Sequence, residues 1–426
     1  MSETETDTSS AAEPPSALSP LRIPLFRSVW MATLIAYFGA MIQSVGAAWL
    51  MTSLARSADT VALVQSAVTL PFMLLSPVAG ALADNLDRRW MMLGAQLSML
   101  FVASLLAACA WTGLITPWLL LLFTFLLASG MAINAPAWQA AVGDMVPRPH
   151  LPAAVTLNSV AYNIARSAGP AIGGAVVAAA GAAAAFAVNA LSYIALIVVL
   201  ARWQPPARRA TTPRESLGAA IAVGVRYVSQ SPTLRTVLLR GFAFGLGTSA
   251  VMALLPLVAK HRISGGALTY GVLLGAYGVG AVAGALTATR LRGSVSTEGI
   301  VRWSNIVFAS ITAILAVSTH LWLALPALVI GGGAWVLTLS TFNVTVQLST
   351  PRWVVARALS LYNMTTFGGW ALGSWLWGML AEGHGLVPAL LAAAVVTLVS
   401  ALLGHVFPLT DSEDRSVHPL RPGTSA

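Results

Sequence analysis

Long apolar stretches separated by short polar loops make up most of the chain. A helix needs about 20 apolar residues to cross a bilayer, and twelve stretches meet that criterion. They lie at roughly residues 29–52, 61–82, 90–111, 117–137, 155–178, 182–201, 236–258, 269–289, 303–319, 322–346, 358–380 and 386–408. The longest polar segment falls between the sixth and seventh stretches, so the pattern predicts two groups of six helices.

The composition supports a membrane protein and excludes several other classes. Of the 426 residues, 57% are hydrophobic and 9% are charged, whereas a soluble chain carries about 25% charged residues. A cytosolic enzyme, a nucleic-acid binder and a disordered scaffold are therefore excluded. The single lysine, Lys260, is followed by His261, so the chain has no Gly-Lys-Ser/Thr phosphate loop. We predict an all-α membrane protein of twelve transmembrane helices in two six-helix bundles.

The basic residues predict the orientation in the membrane. If both ends of the chain are cytoplasmic, nineteen arginines, Arg240 among them, lie on the cytoplasmic side, and Arg166 stays inside a span. Three basic residues, Arg56, Lys260 and Arg262, lie on the opposite side. Because loops rich in Lys and Arg are retained in the cytoplasm, this imbalance predicts that both termini are cytoplasmic.

The same patterns divide the chain into five parts. We expect a disordered cytoplasmic tail at 1–28, an N-terminal bundle at 29–201, a cytoplasmic linker at 202–235, a C-terminal bundle at 236–408 and a cytoplasmic tail at 409–426. In the linker, apolar residues recur at helical spacing and predict an amphipathic helix on the membrane surface. They are Leu217, Ile221, Val225 and Val228.

The two halves of the chain repeat each other at an offset of 204 residues. The matches include Val78–Leu82 with Val282–Leu286, Pro147-Arg148 with Pro351-Arg352, and Gly169 and Gly174 with Gly373 and Gly378. One offset that serves loops and spans alike predicts parallel repeats related by an axis along the membrane normal. Transporters whose two bundles rock about a mid-membrane site have this arrangement.

A motif at the end of the second span connects the chain to a known family. Gly80 permits close helix packing, Asp84 can face the positive end of a neighbouring helix, and Arg88 and Arg89 hold the loop in the cytoplasm. This sequence resembles motif A of the major facilitator superfamily, with Asp87 in place of the usual glycine. The resemblance implies that Asp84 latches the cytoplasmic gate against the start of the eleventh span.

The fifth span carries a second motif, Gly169, Pro170, Gly173 and Gly174. Proline and glycine make a helix that bends and packs closely, and the glycine-rich eighth span is its natural partner. The motif resembles the antiporter motif of drug:proton exporters, and residues 144–174 are similar to the enterobactin-type and macrolide-type exporter branch. A packing helix that has no bearing on transport direction is the alternative.

Arg166 is the most informative polar residue within a span. Burying its charge in a bilayer costs from about 3 to 10 or more kcal/mol, so it must face a wet cavity or a partner. It either binds an anionic or hydrogen-bond-accepting part of a substrate or ties two helices together through backbone carbonyls. The candidate substrate-binding residues are Arg166, Tyr37, Gln43, Asn134, Asn163, Asn343, Asn363 and Trp370. The polar ones could instead form hydrogen bonds between helices.

The residues and the resemblance together imply a secondary active transporter. We expect it to export a small organic molecule, such as a drug or siderophore, by alternating access and proton antiport across the inner membrane of a bacterium. The expectation of proton antiport rests on the resemblance alone, because the acids nearest to the transport path lie at span ends. They are Asp84, Asp144 and Glu382. We expect a monomer in the lipid bilayer with no metal, cofactor or nucleic-acid partner. An importer, a lysophospholipid flippase and a transport-inactive sensor are the alternatives.

Overall fold

A computed structural model describes residues 16–204, 217–351 and 354–409, apart from the side chains of 81, 83–85, 217–221 and 223. Within these residues the chain forms twelve α-helices and no strand. They are α1 (Pro24–Leu54), α2 (Ala58–Asn85), α3 (Arg88–Trp111), α4 (Pro117–Met145), α5 (Leu151–Arg202), α6 (Leu217–Gln230), α7 (Pro232–Leu257), α8 (Ala267–Arg292), α9 (Thr297–Val317), α10 (Leu321–Leu348), α11 (Val355–His384) and α12 (Leu386–Val406).

Helix α5 contains two of the predicted spans, joined at a glycine. Its 52 residues are far longer than the roughly 20 that cross a bilayer. Gly181 has φ 79° and ψ 172°, a conformation that residues with a Cβ rarely adopt, and it joins a first limb to a second. Gly385, 204 positions later, joins α11 to α12 with φ 89° and ψ 169°. The same joint in both halves follows the repeat in the sequence.

The spans number twelve when the two limbs of α5 are counted separately and α6 is assigned to the linker. By length and composition, ten helices could cross a membrane, with α5 counted once. Helix α11 does not meet that test, although it is as long as its neighbours. It buries the polar side chains of Thr366 and Ser374, so its lower hydropathy reflects a position inside the protein.

The two bundles have separate cores at one end and share a core at the other. We call the end where α1 begins and α12 ends the terminal face, and the other end the distal face. Near the terminal face one core contains Phe26, Met92, Trp138 and Leu200, and a second contains Leu234, Val301, Phe342 and Val346. From mid-height to the distal face a single core joins both bundles, including Met51, Phe186, Leu254 and Tyr270.

Glycines permit the close contact between the bundles in the distal half. A Cβ atom at Gly174 of α5 would lie 2.6 Å from the carbonyl oxygen of Ala267 of α8. A Cβ atom at Gly378 of α11, 204 positions later, would lie 2.7 Å from the Cα atom of Asp59 of α2. Since only a glycine fits at either position, the α5–α8 and α2–α11 crossings are equivalent backbone-to-backbone contacts.

Two further polar contacts join the bundles at the distal face. The ammonium of Lys260 donates to the carbonyl oxygen of Thr52 at the end of α1. The carboxylate of Glu382 accepts a 2.6 Å hydrogen bond from the backbone N–H of Ala58 at the start of α2. In each contact the charge has the sign that the helix end favours.

The bundles separate toward the terminal face. On α8 beyond Gly278, Gly284 packs against Gly333 of α10, in the same bundle. Leu286 of α8 is 76% exposed. Among the described residues, nothing lies within 4 Å of the position of a Cβ on Gly80 of α2, so they show none of the close packing that the sequence suggests there. The molecule is therefore closed at the distal face and opens toward the terminal face.

Arg240 occupies a different environment from the one that the charge count assumed. It is fully buried, with 0% of its surface exposed, and its guanidinium pairs with the carboxylate of Glu298 at the start of α9. It also donates to the carbonyl oxygen of Phe407 at 3.3 Å. The pair connects α7, α9 and the end of α12, and it is not a membrane-surface charge.

Candidate substrate site between the bundles

Arg166 lies on the first limb of α5, at the level where α5 and α8 begin to separate. The backbone of α8 reaches this level because Gly278 has no side chain to meet the carbonyl oxygen of Arg166. The guanidinium carbon of Arg166 lies 4.9 Å from the ring centroid of Trp335 on α10. A cation–π contact thus bridges the N-terminal and C-terminal bundles.

A row of aromatic rings continues from Trp335 along the bundle interface. Trp335 stacks on Trp370 of α11, with centroids 5.2 Å apart and an angle of 14° between the planes. Tyr277 of α8 also contacts the ring of Trp335, with ring centroids 5.8 Å apart. Phe367 packs edge-on against Trp370 at 5.7 Å. The structure therefore brings together the predicted residues Arg166 and Trp370, with Trp335 between them.

The row crosses back to the N-terminal bundle at its far end. Phe72 of α2 stacks on Phe367 with centroids 5.4 Å apart. The indole N–H of Trp370 donates to the hydroxyl of Thr248 on α7 at 3.1 Å, which fixes the orientation of that ring. We call Arg166, Phe72, Tyr277, Trp335, Phe367 and Trp370 the interbundle cluster.

The electrostatics of the cluster are those of a positive charge without a counterion. The described residues form ion pairs between Arg88 and Asp144, between Arg240 and Glu298, and between Arg302 and Glu298. None of these pairs includes Arg166. The Nε and Nη2 atoms of Arg166 are buried and reach no hydrogen-bond partner among the described residues. A buried unpaired donor is costly, so these two atoms are donors whose hydrogen-bonding capacity is not used among the described residues.

Two of the other predicted residues make local hydrogen bonds. Gln43 is 7% exposed and accepts from the side-chain amide of Asn189 on the second limb of α5. Asn163 donates to the carbonyl oxygen of Ser159 one turn earlier, at 2.9 Å. Both amides are thus engaged within the N-terminal bundle, and the structure does not place them in the cluster.

The remaining predicted residues are distributed along the interior. Tyr37 contacts Tyr162 edge-on, with centroids 5.4 Å apart. Asn343 accepts a hydrogen bond from Gln347 on its own helix. The Oδ1 atom of Asn134 is buried without a partner among the described residues, and Asn363 is half-buried on α11. Among the predicted residues, only Asn134 resembles Arg166 in having a buried polar atom with no hydrogen-bond partner in the part of the chain that the structure describes.

The glycine–proline motif of α5 contacts two different helices. Cβ atoms at Gly169 and Gly173 would lie 2.6 Å from Met41 and 2.9 Å from Ile42 of α1, in the same bundle. Gly174 and the carbonyl of Pro170 contact α8 of the other bundle, where Gly271 leaves room for that carbonyl. The motif is thus the junction of three helices at which the two bundles meet.

The basic residues of the motif at the end of α2 bind within their own bundle. Arg88 donates from Nη1 to Oδ2 of Asp144 and to the carbonyl oxygen of Ala140, both at 2.8 Å. Arg89 donates from Nε to the carbonyl oxygen of Leu200 at 3.0 Å, at the end of α5. The side chain of Asp84 lies outside the described residues, so its contact with α11 stays a prediction.

Asp87 accounts for the departure from the usual motif. Its carboxylate accepts from the backbone N–H of Arg89 at 2.9 Å and from that of Trp90 at 3.4 Å. It is the N-cap of α3, a position that Asp strongly favours. The turn that the family builds with glycine is here built with an aspartate that caps the next helix.

An apolar groove lies beside the interbundle cluster, between α2, α7 and α11. Its volume is about 440 Å³, and its lining residues are Leu63, Ser66, Leu70, Met73, Phe242, Gly368, Ala371, Leu372 and Trp375. Met73 and Gly368 directly follow Phe72 and Phe367, so the groove adjoins the end of the aromatic row. Leu372 and Trp375 are exposed on its outer side.

Sequence reasoning missed Trp335 and Tyr277. Trp335 lies near the middle of the tenth predicted span, away from the span ends where tryptophans serve as interfacial anchors, and that position was the available signal. Tyr277 had no comparable signal, because a tyrosine in a glycine-rich helix is also typical of simple packing.

Comparison with known proteins identifies the family. A family model described as "Transmembrane secretion effector" matches residues 15–423, nearly the whole chain. The chain belongs to this family of the major facilitator superfamily. It is therefore a membrane transporter, not an enzyme, and the predicted major-facilitator fold of twelve helices is confirmed.

Sequence relatives of this major facilitator transporter include efflux proteins. The multidrug efflux pump Tap of Mycolicibacterium fortuitum is 27% identical, over 94% of this chain and 98% of that protein. The uncharacterized transporter YfiS of Bacillus subtilis is 26% identical, over 80% and 82%. Macrolide efflux protein A of Streptococcus pyogenes is 22% identical, over 59% and 66%.

Solved structures show the same fold at lower identity. A bacterial homologue of the human lysosomal transporter Spinster, inward-facing and occupied, matches with a TM-score of 0.73 at 14% identity, covering 93% of this chain and 98% of that chain. The nucleoside transporter NupG matches with a TM-score of 0.72 at 12% identity, covering 90% and 98%. These matches establish the fold alone.

Proposed function

We propose that this transporter exports a small organic molecule from the cytoplasm across the bacterial inner membrane by alternating access. The observation that carries the proposal is the position of the interbundle cluster, below a sealed distal face and on the side of the opening at the terminal face. The excess of arginine in the terminal loops assigns that face to the cytoplasm. The site is then loaded from the cytoplasm, as export requires.

The efflux relatives support export in preference to import. Tap and macrolide efflux protein A are efflux proteins by name, and Tap aligns along almost its whole length. The glycine–proline motif of α5, which resembles the antiporter motif, points the same way. A drug, a siderophore or a similar metabolite is the cargo that we propose.

The two faces supply different parts of the transport cycle. At the distal face, the contacts of Lys260 and Glu382 close the bundles in the state described here. At the terminal face, Asp84 would close the gate against α11 when the bundles rock to the opposite state. The α5–α8 junction at Gly174 and Gly271 remains the contact about which they move.

Proton antiport supplies the energy in this proposal. A proton entering down the membrane potential yields about 2.3 kcal/mol per 100 mV. Two described acids near the terminal ends of the spans, Asp144 and Glu298, are engaged by Arg88 and Arg240. Asp84 is therefore the acid that we would test first for a coupled role.

Transport in everted vesicles tests the proposal. Everted inner-membrane vesicles carrying the protein should accumulate a fluorescent drug or a siderophore when respiration acidifies their interior, and an uncoupler should abolish the uptake. Uptake by right-side-out vesicles instead would indicate an importer, and movement of a labelled lysophospholipid would indicate a flippase. If neither the drug, the siderophore nor the lysophospholipid is transported, the result would favour a transport-inactive sensor. Light scattering of the purified protein would check the expected monomer.

A further inference from the structure

We propose that the interbundle cluster is a binding subsite for planar aromatic carboxylates and selects them over aromatic cations. The inference rests on the proposed function in taking the cluster as part of the transport site. It goes further by naming the chemical class that the site accepts and by assigning Trp335 to it.

The unused donors of Arg166 have the geometry that a carboxylate requires. Nε and Nη2 are the two nitrogens on one edge of the guanidinium, and both are buried without a partner among the described residues. Their N–H bonds run nearly parallel, so they can donate to the two oxygens of one carboxylate. A lone carbonyl or hydroxyl acceptor would satisfy only one of them.

The charge around Arg166 favours an anion and disfavours a cation. Of the described acids near the terminal ends of the spans, Asp144 and Glu298 are paired with other arginines and Asp87 caps α3. Asp59 and Glu382 lie at the distal ends of α2 and α11. A cationic ligand at the cluster would meet the guanidinium, and no ion pair among the described residues supplies it with a compensating carboxylate. An anionic ligand would supply the counterion that the site lacks.

The aromatic rings extend from the guanidinium in one direction. Arg166 lies over Trp335, Trp335 stacks on Trp370, and the row ends at Phe367 and Phe72 beside the apolar groove. A ligand whose carboxylate pairs with the Nε–Nη2 edge of Arg166, once the side chains that cover this edge move apart, would therefore place its ring along the row that Trp335 and Trp370 form. Because Arg166 and Trp335 belong to different bundles, such a ligand would contact both moving parts at once.

Three naphthalene probes of equal size test the selectivity. They are 2-naphthoate, neutral 2-naphthylmethanol and 2-naphthylmethylammonium, and their binding to the full-length protein in lipid nanodiscs can be measured by calorimetry. We expect the carboxylate to bind at least tenfold tighter than the ammonium. Equal affinities, or tighter binding of the ammonium, would overturn the proposal.

Variants of Arg166 and Trp335 assign the selectivity to these residues. Arg166→Gln should remove the preference for the carboxylate, and Arg166→Lys should retain only part of it, because lysine keeps the charge without the paired donors. Trp335→Phe should retain binding, whereas Trp335→Leu should weaken all three probes about tenfold. Arg302→Gln, which removes a cation outside the cluster, should leave the preference unchanged.

The outcomes separate this inference from the proposed export. If Arg166→Gln does not fold, Arg166→Lys carries the test, since unchanged selectivity in that variant would contradict the role of the paired donors. Carboxylate selectivity without uptake by everted vesicles would refute export and leave the subsite standing. Uptake of cationic dyes by everted vesicles, together with equal binding of the three probes, would refute the subsite and leave export standing.

Discussion

Lys260 on the turn after α7 donates a hydrogen bond to the carbonyl oxygen of Thr52, which lies in the last turn of α1 in the opposite bundle. A positive charge at the carboxyl end of a helix is favourable, and Glu382 makes the converse contact at the start of α2. Neither contact lies within one bundle. They therefore stabilise the closed distal face rather than the fold of either half.

Removing both contacts should favour opening at the distal face. In a Cys109→Ser background, spin labels on Arg56→Cys and His384→Cys should report a longer and broader distance distribution when Lys260→Met and Glu382→Gln are combined. Arg262→Met is the matched control, because Arg262 bonds to Val317 within its own bundle. An unchanged distance distribution in the double variant, or an equal change in the control, would contradict the role of the Lys260 and Glu382 contacts in closing the distal face.

The crossing of α5 and α8 should not tolerate a single added methyl group. Gly174→Ala places a Cβ 2.6 Å from the carbonyl oxygen of Ala267, so backbone must move, at a cost of about 1–3 kcal/mol. We expect a lower melting temperature in detergent and loss of transport. Gly94→Ala on α3 has no atom within 4 Å of the new carbon and should match the parent protein. Full transport by Gly174→Ala would show that the crossing is not closely held.

The architecture was predictable because membrane solvation leaves a strong pattern in the sequence. Runs of apolar residues located the spans, and the 204-residue offset predicted two parallel repeats, with which the equivalent joints at Gly181 and Gly385 agree. The fold of two six-helix bundles follows from these signals. The state of the molecule does not, because closure of the distal face depends on contacts such as those of Lys260 with Thr52 and of Glu382 with Ala58, which no periodicity encodes.

The candidate site was predictable only in part, for a similar reason. A lone arginine in a span is costly enough to stand out, so Arg166 was found, whereas the only signal for its partner Trp335 was a position near the middle of a span. Gln43 illustrates the opposite case, since a polar residue in a span can bind a ligand or a neighbouring helix. Its contact with Asn189 comes from packing in three dimensions. The pairing of Arg240 with Glu298 was not predicted, because the two residues lie 58 positions apart in the sequence.

Breaking the buried Arg240–Glu298 pair should destabilise the C-terminal bundle. Glu298→Gln leaves the fully buried guanidinium without a counterion, and such losses cost about 3–5 kcal/mol. The melting temperature measured by thermal unfolding in detergent should fall strongly in this variant. Adding Arg240→Met to Glu298→Gln should recover part of it, because no unpaired charge remains. Arg302→Gln removes the more exposed partner, 3.8 Å from Glu298, and should cost less than about 1 kcal/mol. Equal losses in both single variants would contradict this assignment.

The gate motif yields a matched pair of charge-removing variants separated by three residues. Asp84→Asn should abolish efflux while leaving expression intact, because the proposed latch against α11 needs the negative charge to face a helix start. Asp87→Asn removes the same charge but keeps the cap of α3, since Asn and Asp are equally good N-caps. It should therefore retain most of the transport activity. Everted-vesicle uptake, normalised to the amount of protein in the membrane, measures both variants. Normal export by Asp84→Asn would refute the latch, and loss of export in both would show that the loop needs negative charge in general rather than Asp84 in particular.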